Sequence, residues 1–235
     1  MKTERRPCKA QAARIWKAWG RDLAVVLGIM IPFRSSVADW NHVPSGSMKP
    51  TILECERILV NKLAYDLKVP LTTWHVVEWG QPARGDIVVF NSPRDGARLV
   101  KRVIGLPGDT VELRNNRLII NGEPARYAPP DEPTGPTAPD AEMAGCELAR
   151  ERLGGLDHAV MAIPGTPALR SFGPVVVPAG RYLVLGDNRD NSADSRYFGF
   201  VERRAIVGRA STVVVSFDPD RHYRPRFDRW FTALH

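Results

Sequence analysis

Thr110-Val-Glu-Leu-Arg-Asn-Asn-Arg-Leu-Ile-Ile-Asn-Gly122 reads as two short strands around a two-residue turn. Asn115-Asn116 separates Thr110-Val-Glu-Leu113 from Arg117-Leu-Ile-Ile120, and asparagine tolerates the positive φ that a primed hairpin turn needs. Asn121-Gly122 supplies a second turn. Runs of the same kind recur on both sides: Ile58–Val60, Asp86–Phe90, Leu99–Ile104, Val175–Val177, Tyr182–Leu185 and Thr212–Phe217. Each is short, β-branched and bounded by Gly, Pro, Asn or Asp, the signature of strands. The 19 glycines and 20 prolines make up roughly one residue in six of the 235, against an average of about 12%. Long helical bundles are thereby excluded, and the predicted fold is mainly β, built on antiparallel sheet.

The length suits one good-sized domain or one domain with a smaller insertion. Pro124, Pro129, Pro130, Pro133, Pro136 and Pro139 leave residues 124–140 unable to form helix or inner strand. They open a surface insertion over 125–174, in which one short helix is predicted, Ala141 to Leu153. The net charge is +7, but Lys2, Arg5, Arg6, Lys9, Arg14, Lys17 and Arg21 stand against Glu4 alone in the first 21 residues. The rest is close to neutral, which argues against a phosphate-tracking surface and so against nucleic acid as a partner. Cys8, Cys55 and Cys146 are far apart with no C-x-x-C pair, so there is neither zinc-finger spacing nor a disulfide framework. A single Cys55–Cys146 bridge stays open.

The basic leader, residues 1–22, runs into Leu23-Ala-Val-Val-Leu-Gly-Ile-Met-Ile-Pro-Phe33, closed by Arg34. A bilayer core calls for about 20 apolar residues, so a transmembrane helix here must extend over 23–40. Two other readings stand beside it. One is a signal peptide cut at Ser36-Val37-Ala38; the other is a buried N-terminal helix. The first two both leave the cations cytoplasmic and everything after about residue 40 extracytoplasmic.

Three stretches carry candidate chemistry. In Val43-Pro-Ser-Gly-Ser-Met-Lys-Pro-Thr51, Pro44 and Pro50 stiffen both flanks and Gly46 permits a backbone geometry denied to other residues, presenting Ser47 on a constrained loop. A serine hydroxyl needs a base. His42, His75, His158, His222 and His235 supply candidates for a triad, but none sits in a distinctive setting. Lys49 is nearest, yet a helical Ser-x-x-Lys would need serine at position 46, which is glycine. Lys101 interrupts the apolar strand Arg98-Leu-Val-Lys-Arg-Val-Ile-Gly105. Alternation puts Lys101 and Arg102 on opposite faces, so one of them is expected to be buried. A desolvated lysine can lose its proton near neutral pH, whereas an edge-strand lysine only guards against aggregation. The third stretch, Gly186-Asp-Asn-Arg-Asp-Asn-Ser-Ala-Asp-Ser-Arg-Tyr-Phe-Gly199, has the density of short polar side chains expected of a self-hydrogen-bonded loop. At the end of the chain, residues 226–235 mix aromatics with arginines; a tail resting on headgroups and a tail packed on the domain both stand.

Pro44–Thr51, Arg84-Gly-Asp-Ile-Val-Val-Phe90, Lys101–Asp109 and Gly186–Arg196, taken in order, resemble the bacterial type I signal peptidases, the leader peptidases. The resemblance covers roughly residues 43–124 and 175–215. It implies an antiparallel β-sheet catalytic domain over 41–124 and 175–235, with the 125–174 insertion as a smaller subdomain and an N-terminal membrane-anchoring helix before it. It implies a serine endopeptidase of the inner membrane, single-pass with its N-terminus cytoplasmic. Such an enzyme removes signal peptides from exported preproteins after small-x-small sites, as a monomer, on membrane lipid, without cofactor or metal. Residue by residue, Ser47 matches the nucleophile, Lys101 the general base, Ser45 the oxyanion-hole hydroxyl and Ser192 the serine that orients the lysine. Asp194 and Arg196 match a structural ion pair, and Asp187 and Arg102 supporting positions. Val43, Pro44, Met48, Leu99 and Val100 are expected to line shallow pockets for small side chains. Three rival readings are a peptidase of one conjugation or secretion system, a relative of the self-cleaving repressors, and an inactive membrane-tethered β binding module.

Overall fold

The computed structural model describes residues 19–20, 22–30, 35–69, 72, 74–129, 145–154 and 156–234. Eighteen strands are found among them. The first eight are β1 (Ala38–His42), β2 (Glu56–Asn61), β3 (Asp66–Lys68), β4 (His75–Glu78), β5 (Ile87–Asn91), β6 (Arg98–Gly105), β7 (Thr110–Arg114) and β8 (Arg117–Ile120). Then come β9 (Glu123–Pro124), β10 (Arg126–Ala128), β11 (Glu147–Leu153), β12 (Leu156–Ala162), β13 (Phe172–Val176) and β14 (Arg181–Leu185). The single-turn helix α1 (Ser195–Phe198) precedes β15 (Val201–Glu202), β16 (Ile206–Asp218), β17 (Arg224–Pro225) and β18 (Thr232–Ala233). The main sheet runs β1-β2-β16-β5-β6-β14-β15, with β17 and β18 also pairing the 13-residue β16. Its named pairs are antiparallel, as the short alternating runs predict.

The hairpin read from Asn115-Asn116 is β7–β8, with Arg114 opposite Arg117 and φ of 48° and 61° at the two asparagines. It lies in a four-stranded sheet, β13-β7-β8-β9. Its inner residues Val111, Leu113, Leu118 and Ile120 bury against Ile104, Leu183 and Leu185 of the main sheet. The main sheet itself is covered on both faces. Ile87 and Val89 of β5 pack with Met48, Ile52, Ile58 and Val213, while Val88 and Phe90 pack with Val103, Val184 and Ile206. A strand enclosed in this way has no solvent side to which a charged residue can point.

The structure corrects the predicted helix and bears on the N-terminal segment and the cysteines. Residues 147–153, assigned to a helix, form β11, paired residue for residue with β12 from Glu147–Ala162 to Leu153–Leu156. Gly154, at φ 56°, begins the turn between them, and the hairpin buries Val160 and Met161 and pairs Glu151 with Arg189. Gly145 and Cys146 before it are not helical, and 141–144 lie outside the described residues. At the N-terminus residues 22–30 are helical, but Ala38–Trp40, the last residues of the 23–40 segment, are extended in β1, which pairs with β2 from Arg57 to Asn61. Among the described residues no helix is long and apolar enough to cross a membrane. The reading of a buried N-terminal helix does not hold either, because Leu23, Val25, Val26, Leu27, Ile29 and Met30 are all exposed. Finally, Cys55 and Cys146 do not pair with each other.

Candidate active site

The loop after β1 is closed at its neck, where Val43 N–H donates to Glu56 O (2.9 Å) and Cys55 N–H to Val43 O (3.0 Å). Inside it Gly46–Met48 make one 3-10 turn, capped by an extended Ser45 whose hydroxyl makes no capping bond. Met48, Ile52 and Leu53 are fully buried and plug the loop into the core, so Ser47, half-buried between them and the exposed Pro44 and Ser45, is held at the surface of a rigid turn. Gly46 is not at positive φ, and a Cβ there would stand 2.8 Å from Glu54 Oε1, the end of a flexible side chain that can move aside.

Lys101 projects from the middle of β6, opposite Val88 of β5. Its Nζ lies 2.6 Å from Ser47 Oγ and donates to Val100 O at 3.0 Å. Lys101 and Arg102 are both buried, at 2% and 1% exposure; alternation separates their faces, and both faces are interior. Desolvation brings the Lys101 pKa down from 10.5 to about 8, with Arg196 helping and the carboxylates of Asp194 and Asp187 opposing. Among the described hydrogen bonds none joins a histidine to Ser47. His42 and His222 are exposed, and His158 is buried elsewhere; His235 and the His75 side chain lie outside the described residues. Lys49 is buried beside Gly46, 3.9 Å from Glu54.

Two buried ion pairs hold the surroundings. Arg102 grips Asp187 with Nε and NH2 at 2.8 and 2.7 Å and donates NH1 to Gly85 O, while Thr51 donates its hydroxyl to Asp187 Oδ2 at 2.6 Å. Asp187 therefore ties the strand of Lys101 to the loop of Ser47. Burial alone would raise its carboxyl, but Arg102, His158 and Thr51 together leave it lowered. Asp194 accepts from Gly186 N–H (3.0 Å) and from Arg196 Nε and NH2, both at 2.8 Å. This is the self-bonded loop read from its composition. Gly186 has no room for a side chain, since a Cβ would stand 2.5 Å from Ser47 O and 2.3 Å from Ser192 Oγ. Ser192 is buried next to the site, but its hydroxyl has no hydrogen-bond partner among the described residues, Lys101 included.

Of the apolar residues expected to line pockets, Val43 and Met48 are buried in the cluster against which Val100 packs; Leu99 is half-buried and Pro44 exposed. Sequence reasoning passed over Asn188, Thr51 and Glu151, and weighed His158 only as a candidate base. Asn188 and Thr51 lie inside the recognised stretches, but which polar residue of a loop faces inward depends on its fold. Glu151 and Arg189 form a buried pair at 2.7 Å, and His158 Nε2 lies 3.4 Å from Glu151 and 4.0 Å from Asp187. Desolvation, then Arg102, carries the His158 pKa down to about 4 against the pull of Asp187 and Glu151. Among the described residues no three His, Cys, Asp or Glu side chains are grouped to hold a metal ion.

Residues 16–215 match the family described as signal peptidase, peptidase S26. The chain is 38% identical over 225 residues to signal peptidase I of Pseudomonas fluorescens, covering 90% of this chain and 77% of that one. It is 33% identical over 204 residues to signal peptidase I S of Bacillus subtilis strain 168, covering 86% and 91%. A crystal structure of a signal peptidase I from Enterococcus faecalis V583 is 36% identical and covers 56% of this chain and 98% of that one, at a TM-score of 0.35.

Proposed function

The chain belongs to the signal peptidase family, peptidase S26, and is a serine protease of signal peptides; we propose that it works with Ser47 as nucleophile and neutral Lys101 as general base. The observation that carries this reading is the 2.6 Å contact between Lys101 Nζ and Ser47 Oγ in a setting dry enough to bring the amine to about 8. Lys101 takes the Ser47 proton as Oγ bonds to the scissile carbonyl carbon. Negative charge then collects on the carbonyl oxygen, where the Ser47 N–H and the uncommitted Ser45 hydroxyl receive it. When the C–N bond breaks, the Lys101 ammonium returns its proton to the leaving amine. Water repeats the sequence on the ester and frees Ser47.

β6 pairs with β5 along Arg98–Arg102 but with β14 only from Arg102 onward. Arg98–Val100 thus have no strand on their second side among the described pairs, and an extended preprotein segment can add there as a further strand. Val43, Pro44, Met48, Leu99 and Val100 border that path, and a side chain larger than the space left between them would have to overpack it. Asp187–Arg102 and Asp194–Arg196 keep the walls fixed. We further assign residues 1–22 to the cytoplasm and the apolar segment from residue 23 to a single-pass anchor in the inner membrane, with the β domain, a monomer, outside; the exposed apolar face of residues 22–30 supports this.

The test is cleavage of a purified preprotein by the full chain in detergent, with sequencing of the new N-terminus. Ser47→Ala and Lys101→Ala are each expected to lose about 10⁴-fold or more in kcat, with unchanged melting cooperativity. Lys49→Met retains readily measured cleavage; an inactive Lys49 variant beside an active Lys101→Ala would overturn the assignment of the base.

A further inference from the structure

We propose that Asn188 is the positioning residue of the oxyanion hole and that the inserted hairpin β11–β12 holds it in place; this rests on the reading of Ser47 N–H as an oxyanion donor. The Gly46–Ser47 peptide is a rigid plane whose carbonyl and N–H point in opposite directions. Whatever fixes Gly46 O therefore aims the Ser47 N–H. Asn188 Nδ2 donates to Gly46 O at 3.1 Å, and the Asn188 N–H donates to Ser47 O at 3.2 Å. One residue thus grips the carbonyls on both sides of the nucleophile. The Ser47 N–H belongs to the first turn of its 3-10 helix, so no acceptor within that helix competes for it. Gly46 O also accepts from Lys49 N–H at 3.1 Å. Two donors on one carbonyl polarise its amide and strengthen the N–H as a donor.

Asn188 has no freedom to relax, being 1% exposed. The peptide groups on either side of it are tied to Met161 of β12: Met161 N–H donates to Asp187 O and Arg189 N–H to Met161 O, both at 2.8 Å. Arg189 continues the attachment through its buried pair with Glu151 of β11. The insertion therefore reaches the reacting carbonyl through one asparagine.

The experiment uses the full chain in detergent with a signal-peptide substrate. Asn188→Ala is expected to lower kcat about 10- to 100-fold, less than outright loss of a donor, with KM within about threefold. Inhibition by a peptide aldehyde, which adds to Ser47 Oγ and puts an oxygen in the oxyanion position, should weaken by the same factor as kcat. A purely structural role would not link the two, so a kcat loss with unchanged aldehyde inhibition overturns the proposal. Asn188→Asp gives a second readout. Its carboxylate cannot donate to Gly46 O, but its acid can, so activity relative to wild type should rise as pH falls. If Asn188→Ala does not fold, a pH-independent ratio for Asn188→Asp overturns the proposal. Wild-type kcat in Asn188→Ala, with Ser47→Ala inactive, defeats this inference alone. Cleavage persisting in Ser47→Ala defeats the dyad beneath it.

Discussion

Lys101 is held where a charged amine is least comfortable, and both the activity and the stability of the protein should register it. On the proposed mechanism only the neutral amine accepts the Ser47 proton, so kcat/KM should rise with pH and level off above about 8. A pH–rate profile with no ionisation near that value would remove Lys101 from the role of base. The same burial has a thermodynamic side. The unfolded chain holds the lysine proton up to about pH 10.5 while the folded one releases it near 8, so stability rises with pH between those values and is lower by roughly 3 kcal/mol below them. Lys101→Met should therefore melt higher than wild type at pH 7 by about 1–3 kcal/mol while being inactive, and the gain should vanish near pH 11. The position of Lys101 in an apolar strand was legible in the sequence; the burial of its neighbour was not. Alternation assigns Lys101 and Arg102 to opposite faces but says nothing of whether a second layer covers each face, and that depends on Met48 and Ile52 on one side and Val184 and Ile206 on the other. Ser192 marks a different limit. The resemblance makes it the partner of Lys101, whereas its buried hydroxyl is unpartnered here.

At the scale of elements, the inserted hairpin is tied to the loop of Arg189 by buried charge, and removing one side of a buried pair costs more than the pair contributes. Glu151→Ala would leave Arg189 charged and unpaired in the interior, which typically destabilises by about 3–5 kcal/mol. Arg181 and Glu202, both nearly half exposed at 3.3 Å, form a pair worth about 0–1 kcal/mol. Urea denaturation of Glu151→Ala and Glu202→Ala side by side measures the contrast; equal midpoints would mean that the hairpin is not fastened by this pair. His158 adds a pH dependence to the same element. Its imidazole is kept neutral down to about 4 by desolvation and by Arg102 and Arg189, against Asp187 and Glu151. The unfolded chain takes up this proton near 6.5, so stability is lost as pH falls from about 6.5 to 4, by up to roughly 3 kcal/mol. His158→Gln should flatten that part of the acid limb, as read from midpoints taken across the range. None of this hairpin was legible. Glu147-Leu-Ala-Arg-Glu-Arg-Leu153 consists of good helix formers, and its strand state depends on a partner distant in sequence, Arg189 reaching Glu151, as well as on Asp157 of the facing strand bridging Arg150 and Arg152. The β7–β8 hairpin was legible because its turn chemistry is local.

For the molecule as a whole, the arrangement of strands and the relation to the membrane were unequally readable. Strand positions followed from alternation and turn residues, yet β16, the hub that pairs β2, β5, β17 and β18, is assembled from pairings that no local pattern encodes. The C-terminal tail illustrates this: read either as lying on headgroups or as packed on the domain, it pairs Thr232 and Ala233 with β16 and sends Arg229 to Glu56 and to Thr51 O, at 2.9 Å each. It is part of the scaffold behind the loop of Ser47, while Phe227 and Phe231 stay exposed. Exposed apolar residues also gather on the β3–β4 hairpin, where Trp74, Val76, Val77 and Trp79 face solvent, and on residues 22–30. If the segment from residue 23 is the tether, its effect is one of effective concentration: a preprotein and an enzyme confined to one bilayer meet far more often than in bulk. Deletion of residues 1–34 stops just before Ser35, whose carbonyl accepts from Lys62 Nζ, and so spares the β domain. The truncated protein should cleave a short soluble peptide within about threefold of the full chain, yet lose about 10²-fold or more on a preprotein embedded in vesicles. Equal losses on the two substrates would mean that residues 1–34 support the site itself. No loss on either would leave the β domain to find the membrane through its own exposed aromatics.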